Sequence, residues 1–335
     1  MKAYQYRMGG SIDDLQLVDV DTPRPGPHQV LVRMRAASLN FRDLLVLGGK
    51  YPRAQQDTIV PLSDGAGEIE ELGDGVTELA VGDRVLPIFF QSWLRGGMAP
   101  ADSASALGGS IDGVAAQYRV FDAERVVRFA PHLSFIEAST LPCAGLTAWN
   151  GLHGPVAVSA ADTVLTLGTG GVSIFALQLA RASGARVIVT SSSDTKLKLA
   201  QTLGANSVIN YRTNPEWDAA VRAATEGRGV DQVIETGGGG TMLRSIASTR
   251  RGGWIHVIGL IAPGQIDPLH ILLGGVTLRG TEVGSREMLK ALNRAVDQSR
   301  IRPVVGRVFN FTELPAALRY MQSGEHFGKV AITIE

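Results

Sequence analysis

The sequence predicts a two-domain α/β protein: a doubly wound parallel sheet, joined to a second domain of mostly antiparallel strands. Three observations carry this. The chain has 335 residues, more than one hydrophobic core usually organises. Its first third is short strand-type runs punctuated by Gly and Pro, and its middle alternates strands with helices of about ten residues, the pattern of βαβ units.

The elements follow in order. In the first third, "HQVLVRMRAASL" (His28 to Leu39), "GAGEIEEL" and "GDRVLPIFF" are strand-type runs, separated by "TPRPGP", "GDGV" and "VGD". Arg95 to Gly113 is small and polar and predicts a long loop. From about residue 135, "TVLTLG" is a buried strand and "GVSIFALQLARASG" a helix ending at Gly184. Then come "ARVIVT", a helix "DTKLKLAQTLG" opening on an Asp194 cap, "SVINY", "PEWDAAVRAAT", "DQVIET" and "WIHVIGL". "HILLGGVTLRGTEVG" (His270 to Gly284) reads as a strand near a sheet edge, and an edge of this kind favours a homodimer. The last segment returns to strand, helix, strand. The domain boundaries expected are 1–126, 127–300 and 301–335.

Composition narrows the function. Lys plus Arg number 32 and Asp plus Glu 32, with no basic block, so a nucleic-acid partner is disfavoured. One cysteine, Cys143, forbids an internal disulfide and fits a reducing, cytoplasmic setting. No signal peptide or membrane span is read.

The stretch Thr163 to Thr190 sets a glycine turn between a buried strand and a helix. Gly168 permits the tight turn, and Gly170 leaves the backbone open to a diphosphate. Gly168, Thr169, Gly170, Gly171 and Val172 are the candidate cradle, facing the positive end of the helix dipole. Ser173 stands where a third glycine packs helix on strand. No carboxylate ends the second strand, where an NAD site places one for the ribose hydroxyls. Ser191, Ser192 and Lys196 stand there instead and suit a 2′-phosphate, so NADP(H) is the expected cofactor. The plainer alternative is a solvated serine loop beside a surface lysine.

These stretches, with "SLNFRDLLVLGGKYP", "PLSDGAGEIEELGDGV", "LPCAGLTAWNGL" and "HFGKVAITI", resemble the medium-chain dehydrogenase/reductase superfamily across almost the whole chain, most of all its zinc-independent, quinone oxidoreductase-like branch. The resemblance implies a GroES-like catalytic domain built from both chain ends, a Rossmann domain between them, and a cleft for coenzyme and substrate. It assigns Asn40, Asp43, Tyr51 and Thr147 to the catalytic pocket, and Lys196 with Tyr211 to the 2′-phosphate. Turn or cap chemistry is the competing reading of Asn40 and Asp43.

Zinc-dependent members carry an early cysteine, a "GHE" motif and a cysteine near the domain junction. Here those positions hold Asn40, Ser63 with Asp64, and Cys143. One thiol and a remote carboxylate do not make a zinc site, so no metal is expected. Without a Lewis acid, hydride transfer favours acceptors that disperse their own charge, namely quinones and α,β-unsaturated carbonyls. The competing functions are an NADP-linked alcohol or aldehyde oxidoreductase, and a dinucleotide-binding structural or RNA-binding protein without turnover.

Overall fold

The computed structural model describes the chain except residues 8, 52–57 and 260. Residue 260, part of the "WIHVIGL" reading, therefore lies outside it. The chain divides into two units: Met1–Leu146 with Val283–Glu335, and Thr147–Glu282. This division into compact units differs from the expected breaks at 126/127 and 300/301. Residues 127–146 and the helix Arg286–Gln298 belong to the first unit, because the helix packs on the strand Val126–Arg128 and on the Leu141–Gly145 turn.

In the first unit a mixed sheet runs in the order Val305–Asn310, Lys329–Thr333, Gln29–Leu39, Asp64–Leu72, Arg84–Pro87, Val126–Arg128, and Tyr118–Asp122 also pairs with Gln29–Leu39. All these pairings are antiparallel except that of the two C-terminal strands. The long strand Gln29–Leu39 is central, and its alternating apolar residues Val30, Val32 and Met34 enter a core with Ile69, Leu318 and Ile332. The C-terminal strand pairs Val330 with Leu39, which sets Lys329 beside the end of that central strand. The expected long loop is more ordered than its composition suggested. It contains a 3-10 stretch, Pro100–Ser105, and buries Leu107 and Ser110.

The second unit is a six-stranded, wholly parallel sheet in the order Ser207–Asn210, Arg186–Ser191, Thr163–Leu167, Val230–Glu235, Thr249–Val257, Thr277–Gly280. That is the doubly wound Rossmann order, with the reversal beside the first strand. Val164, Leu165, Val233, Ile234 and Ile255 are buried on a sheet covered on both faces. The reading of His270 to Gly284 as one strand is corrected: Pro268–Gly274 is a helix, capped by Asp267 and closed by Gly275 at φ 61°, and only Thr277–Gly280 is strand.

Candidate functional site

In the Rossmann unit the glycine turn closes the strand Thr163–Leu167. Gly168 takes φ 74°, a left-handed conformation that a side chain would strain. Gly170 is the N-cap of the twelve-residue helix Gly171–Ala182, and no side chain caps it. A Cβ at Gly168 or at Gly170 would meet nothing within 4 Å. The turn therefore presents bare backbone and open space at the positive end of a helix, which fits a dinucleotide diphosphate. Ser173 is buried and donates from Oγ to Leu167 O at 2.6 Å. Its hydroxyl ties helix to strand, the packing task of the missing glycine.

Ser191 ends the second strand and is buried, Ser192 is half-buried, and Ser193 accepts from Lys196 N–H at 3.4 Å. The helix cap is thus Ser193, and Asp194 sits in the first turn, accepting from Asn210 Nδ2 at 2.8 Å. This corrects the expected Asp194 cap. Tyr211 is exposed, and its N–H donates to Ser191 O at 3.0 Å, so backbone pairing brings Tyr211 and the serine tip side by side. Thr147, the first residue of this unit, is buried.

Glu235 escaped the sequence reading. It ends the fourth strand fully buried, and its Oε1 accepts from Gly237 N–H, Gly238 N–H and Thr241 Oγ at 2.7, 3.1 and 2.7 Å. Ser245 Oγ donates to its other oxygen. The carboxylate holds the "TGGGG" loop in one shape; the signal was an acidic residue ending an apolar strand.

In the first unit, four segments bring polar residues together. Asn40 N-caps the helix Phe41–Leu47, and its N–H donates to Asp43 Oδ2 at 2.8 Å. Asp43 therefore carries cap chemistry, and its other oxygen receives Arg42 Nη1 at 3.4 Å. Ser63 Oγ donates to Asp64 Oδ1 at 2.7 Å, and Cys143 N–H donates to Asp64 Oδ2 at 3.0 Å. Leu62, at φ 68°, turns the chain just before this pair. Gly113 makes room: a Cβ there would lie 1.9 Å from Leu62 O.

Lys329 completes the cluster. It is 3% exposed, and its Nζ donates to Asn40 Oδ1 at 2.5 Å and Leu39 O at 2.6 Å. Arg42, also buried, donates to Leu107 O at 2.9 Å, and its guanidinium lies 4.7 Å from the Tyr51 ring centre and 5.0 Å from that of Phe89. Arg42 and Lys329 were not picked out from sequence; a charged residue heading the apolar run "KVAITI" was the available sign for the second.

Burial governs the ionisation here. Desolvation pushes Asp43 up to about 6 against the opposing charge of Arg42 and the Asn40 N–H bond. Asp64 is raised for the same first reason, opposed by Lys329. Desolvation, then the Asp64 charge, pushes the Cys143 thiol up, so it stays protonated.

The chain matches two family models: the alcohol dehydrogenase GroES-like domain over residues 26–131 and the zinc-binding dehydrogenase model over residues 171–298. A zinc-type alcohol dehydrogenase-like protein of Schizosaccharomyces pombe is 43% identical, covering 96% of each chain. A solved NAD-dependent alcohol dehydrogenase is 31% identical with TM-score 0.90 over the whole of both chains. A crotonyl-CoA carboxylase/reductase, AntE, solved with NADP, is 26% identical with TM-score 0.86, covering 100% of this chain and 95% of its own.

The chain belongs to the medium-chain dehydrogenase/reductase superfamily. It is an alcohol dehydrogenase-like, nicotinamide-dependent oxidoreductase with a GroES-like and a Rossmann domain.

The zinc in the relatives' names does not fit the residues here. A catalytic zinc takes about three thiolate, imidazole or carboxylate ligands. Among the described residues no three His, Cys, Asp or Glu gather at metal-binding distance. The cluster offers two groups of that type, the Cys143 thiol and the Asp64 carboxyl, and the latter is already bonded to Ser63 Oγ and Cys143 N–H; the rest is an amide and an ammonium bonded to it.

Proposed function

We propose that the chain is an NADPH-dependent, metal-free reductase of quinones or α,β-unsaturated carbonyls. The observation that carries this is the Asn40–Ser63–Asp64–Cys143–Lys329 cluster, which supplies hydrogen-bond donors and a fixed cation where a dehydrogenase would need a Lewis acid. Donors suffice when the acceptor spreads its own charge. Crotonyl groups, named for the AntE relative, are conjugated acceptors of this kind.

A nicotinamide coenzyme held by the glycine turn would supply the hydride. With the coenzyme in place, the protein would orient the acceptor's electrophilic carbon toward it, hold the carbonyl oxygen with hydrogen-bond donors and let a proton from water or a hydroxyl reach that oxygen. Asn40 Nδ2 supplies a donor to this oxygen. Tyr51 is the hydroxyl closest in role to a proton donor, Asp43 anchors the Asn40 backbone, and Thr147 serves the nicotinamide. Gly168, Thr169, Gly170, Gly171 and Val172 hold the diphosphate, while Ser191, Ser192, Lys196 and Tyr211 hold the 2′-phosphate. The substrate is small, and the active form is a homodimer.

The competing activity, alcohol or aldehyde turnover, is favoured by the name of the NAD-dependent relative. A spectrophotometric screen separates the two. NADPH oxidation with naphthoquinones or cyclohexenone, unaffected by dialysis against a chelator, is expected. Turnover confined to alcohols with NAD, lost on chelation and restored by zinc, would overturn the proposal.

A further inference from the structure

We propose that Lys329 is the positioning residue of this centre: its Nζ fixes the Asn40 carboxamide so that the amide NH2 is the group offered to the substrate oxygen. The inference rests on the reductase reading above and deepens it, giving the fixed cation of that cluster a specific task.

An ammonium has only donors. The Asn40 atom 2.5 Å from Lys329 Nζ must therefore be the carbonyl oxygen, which settles the amide orientation chemically. Lys329 is itself held at two points, by Asn40 Oδ1 and by Leu39 O at 2.6 Å, on a strand locked to the central strand of the sheet. With its oxygen engaged, Asn40 can act outward only through Nδ2. One N–H there faces Ser63 Oγ at 3.4 Å, and Ser63 passes its own hydrogen to Asp64 at 2.7 Å. The same NH2 group also hydrogen-bonds the Asp64 carboxyl and favours its charged form, so a substrate oxygen would take over a donor that Asp64 holds in its absence. Asn40 is half-buried, so it can be reached.

Charge supports the same arrangement. Four buried charged groups meet here, two cations (Arg42, Lys329) and two carboxyl groups (Asp43, Asp64). A lysine this buried is rare unless compensated. The positive end behind the amide oxygen also polarises the carboxamide and strengthens its N–H as a donor. An alkyl side chain at 329 would leave the amide free to turn over and point its oxygen at the developing oxyanion, which repels it.

The test is a mutant cycle on the intact enzyme, with the acceptor the wild type turns over fastest. Lys329→Met and Asn40→Ala are each expected to lower kcat by about 10²-fold, the scale of one lost oxyanion donor, with the KM for NADPH unchanged. The double variant should be no slower than Asn40→Ala, and Lys329→Arg should restore part of the rate. A double variant that multiplies the two losses, or a folded Lys329→Met with wild-type kcat, overturns the proposal. A second arm needs no turnover. In 15N-labelled protein the Asn40 side-chain NH2 signals, identified by their loss in Asn40→Ala, should move in Lys329→Met. Signals that stay in place also overturn it. A wild type inert on every acceptor sinks the reductase reading instead, and the NMR arm still decides whether Lys329 orients Asn40.

Discussion

At the scale of single residues, two buried carboxyl groups give opposite pH dependence. Asp231 is 3% exposed; burial raises its pKa, but bonds from Arg228, Arg250 and the Thr163 N–H outweigh this and hold it at about 2. Its stabilisation is complete above the unfolded value of 3.8 and is lost as pH falls toward 2. It amounts to about 2 kcal/mol. Asp231→Asn should cost about 3 kcal/mol at pH 7, because two arginines lose a buried partner, with less loss at pH 3. Urea unfolding at both pH values checks this. Asp43 behaves inversely. Its folded pKa near 6 exceeds the unfolded 3.8, so its contribution is present in mild acid and lost as pH rises through 6. Asp43→Asn should flatten the fall in urea midpoint between pH 5 and 7; an unchanged slope would show that Asp43 does not titrate there. Lys196→Ala should weaken NADPH by about 1–3 kcal/mol, the scale of a charge-assisted contact, and NADH much less. Equal losses in titrations of both coenzymes would remove Lys196 from the phosphate site.

At the scale of elements, the glycine turn separates folding from binding. Gly170 has φ −78°, open to any residue, and a Cβ there touches nothing within 4 Å. Gly170→Ala should therefore keep the melting temperature yet weaken the coenzyme at least tenfold, since the added methyl stands in the diphosphate's approach. Gly168→Ala, at φ 74°, should lose about 1 kcal/mol of stability as well. Calorimetry paired with coenzyme titration distinguishes them; a Gly170→Ala protein with normal affinity would move the diphosphate elsewhere. This turn was legible in sequence because it is local: buried strand, glycines and helix are contiguous. So were the parallel strands, whose unbroken apolar runs betray burial on both faces. The Pro268–Gly274 helix was not, since seven residues of leucine-rich chain satisfy strand and helix patterns equally and only the Asp267 cap and Gly275 decide. In the candidate catalytic cluster, Asn40 and Asp43 were legible by resemblance, whereas Ser63, Asp64 and Cys143 were noted only as replacing zinc ligands, and the carboxylate expected to be remote accepts from the Cys143 N–H. Lys329 lies 289 residues from Asn40, and its partnership depends on strand pairing that no local pattern reveals.

At the scale of the whole molecule, the proposed homodimer is tied to one edge. Thr277–Gly280 is the last strand of the Rossmann sheet and pairs only with Thr249–Val257, leaving its outer edge open among the described residues. Open edges invite pairing with another chain. Just before it, Leu269, Leu272 and Leu273 stand 50%, 73% and 65% exposed on the short helix, at spacings of three and four that place them on one face. Zero net charge means that two copies do not repel each other at neutral pH. A second copy related by a two-fold axis would extend the sheet across this edge and cover the leucines. Light scattering at micromolar concentration should give twice the 35.5 kDa chain mass. The pair Leu272→Glu and Leu273→Glu should give monomers, because two carboxylates would be desolvated in each half of the interface. Neither side chain is buried in the chain itself, so the monomer should keep its fold by circular dichroism. A wild-type protein that scatters as a monomer, or a double variant that stays dimeric, would place the association surface elsewhere.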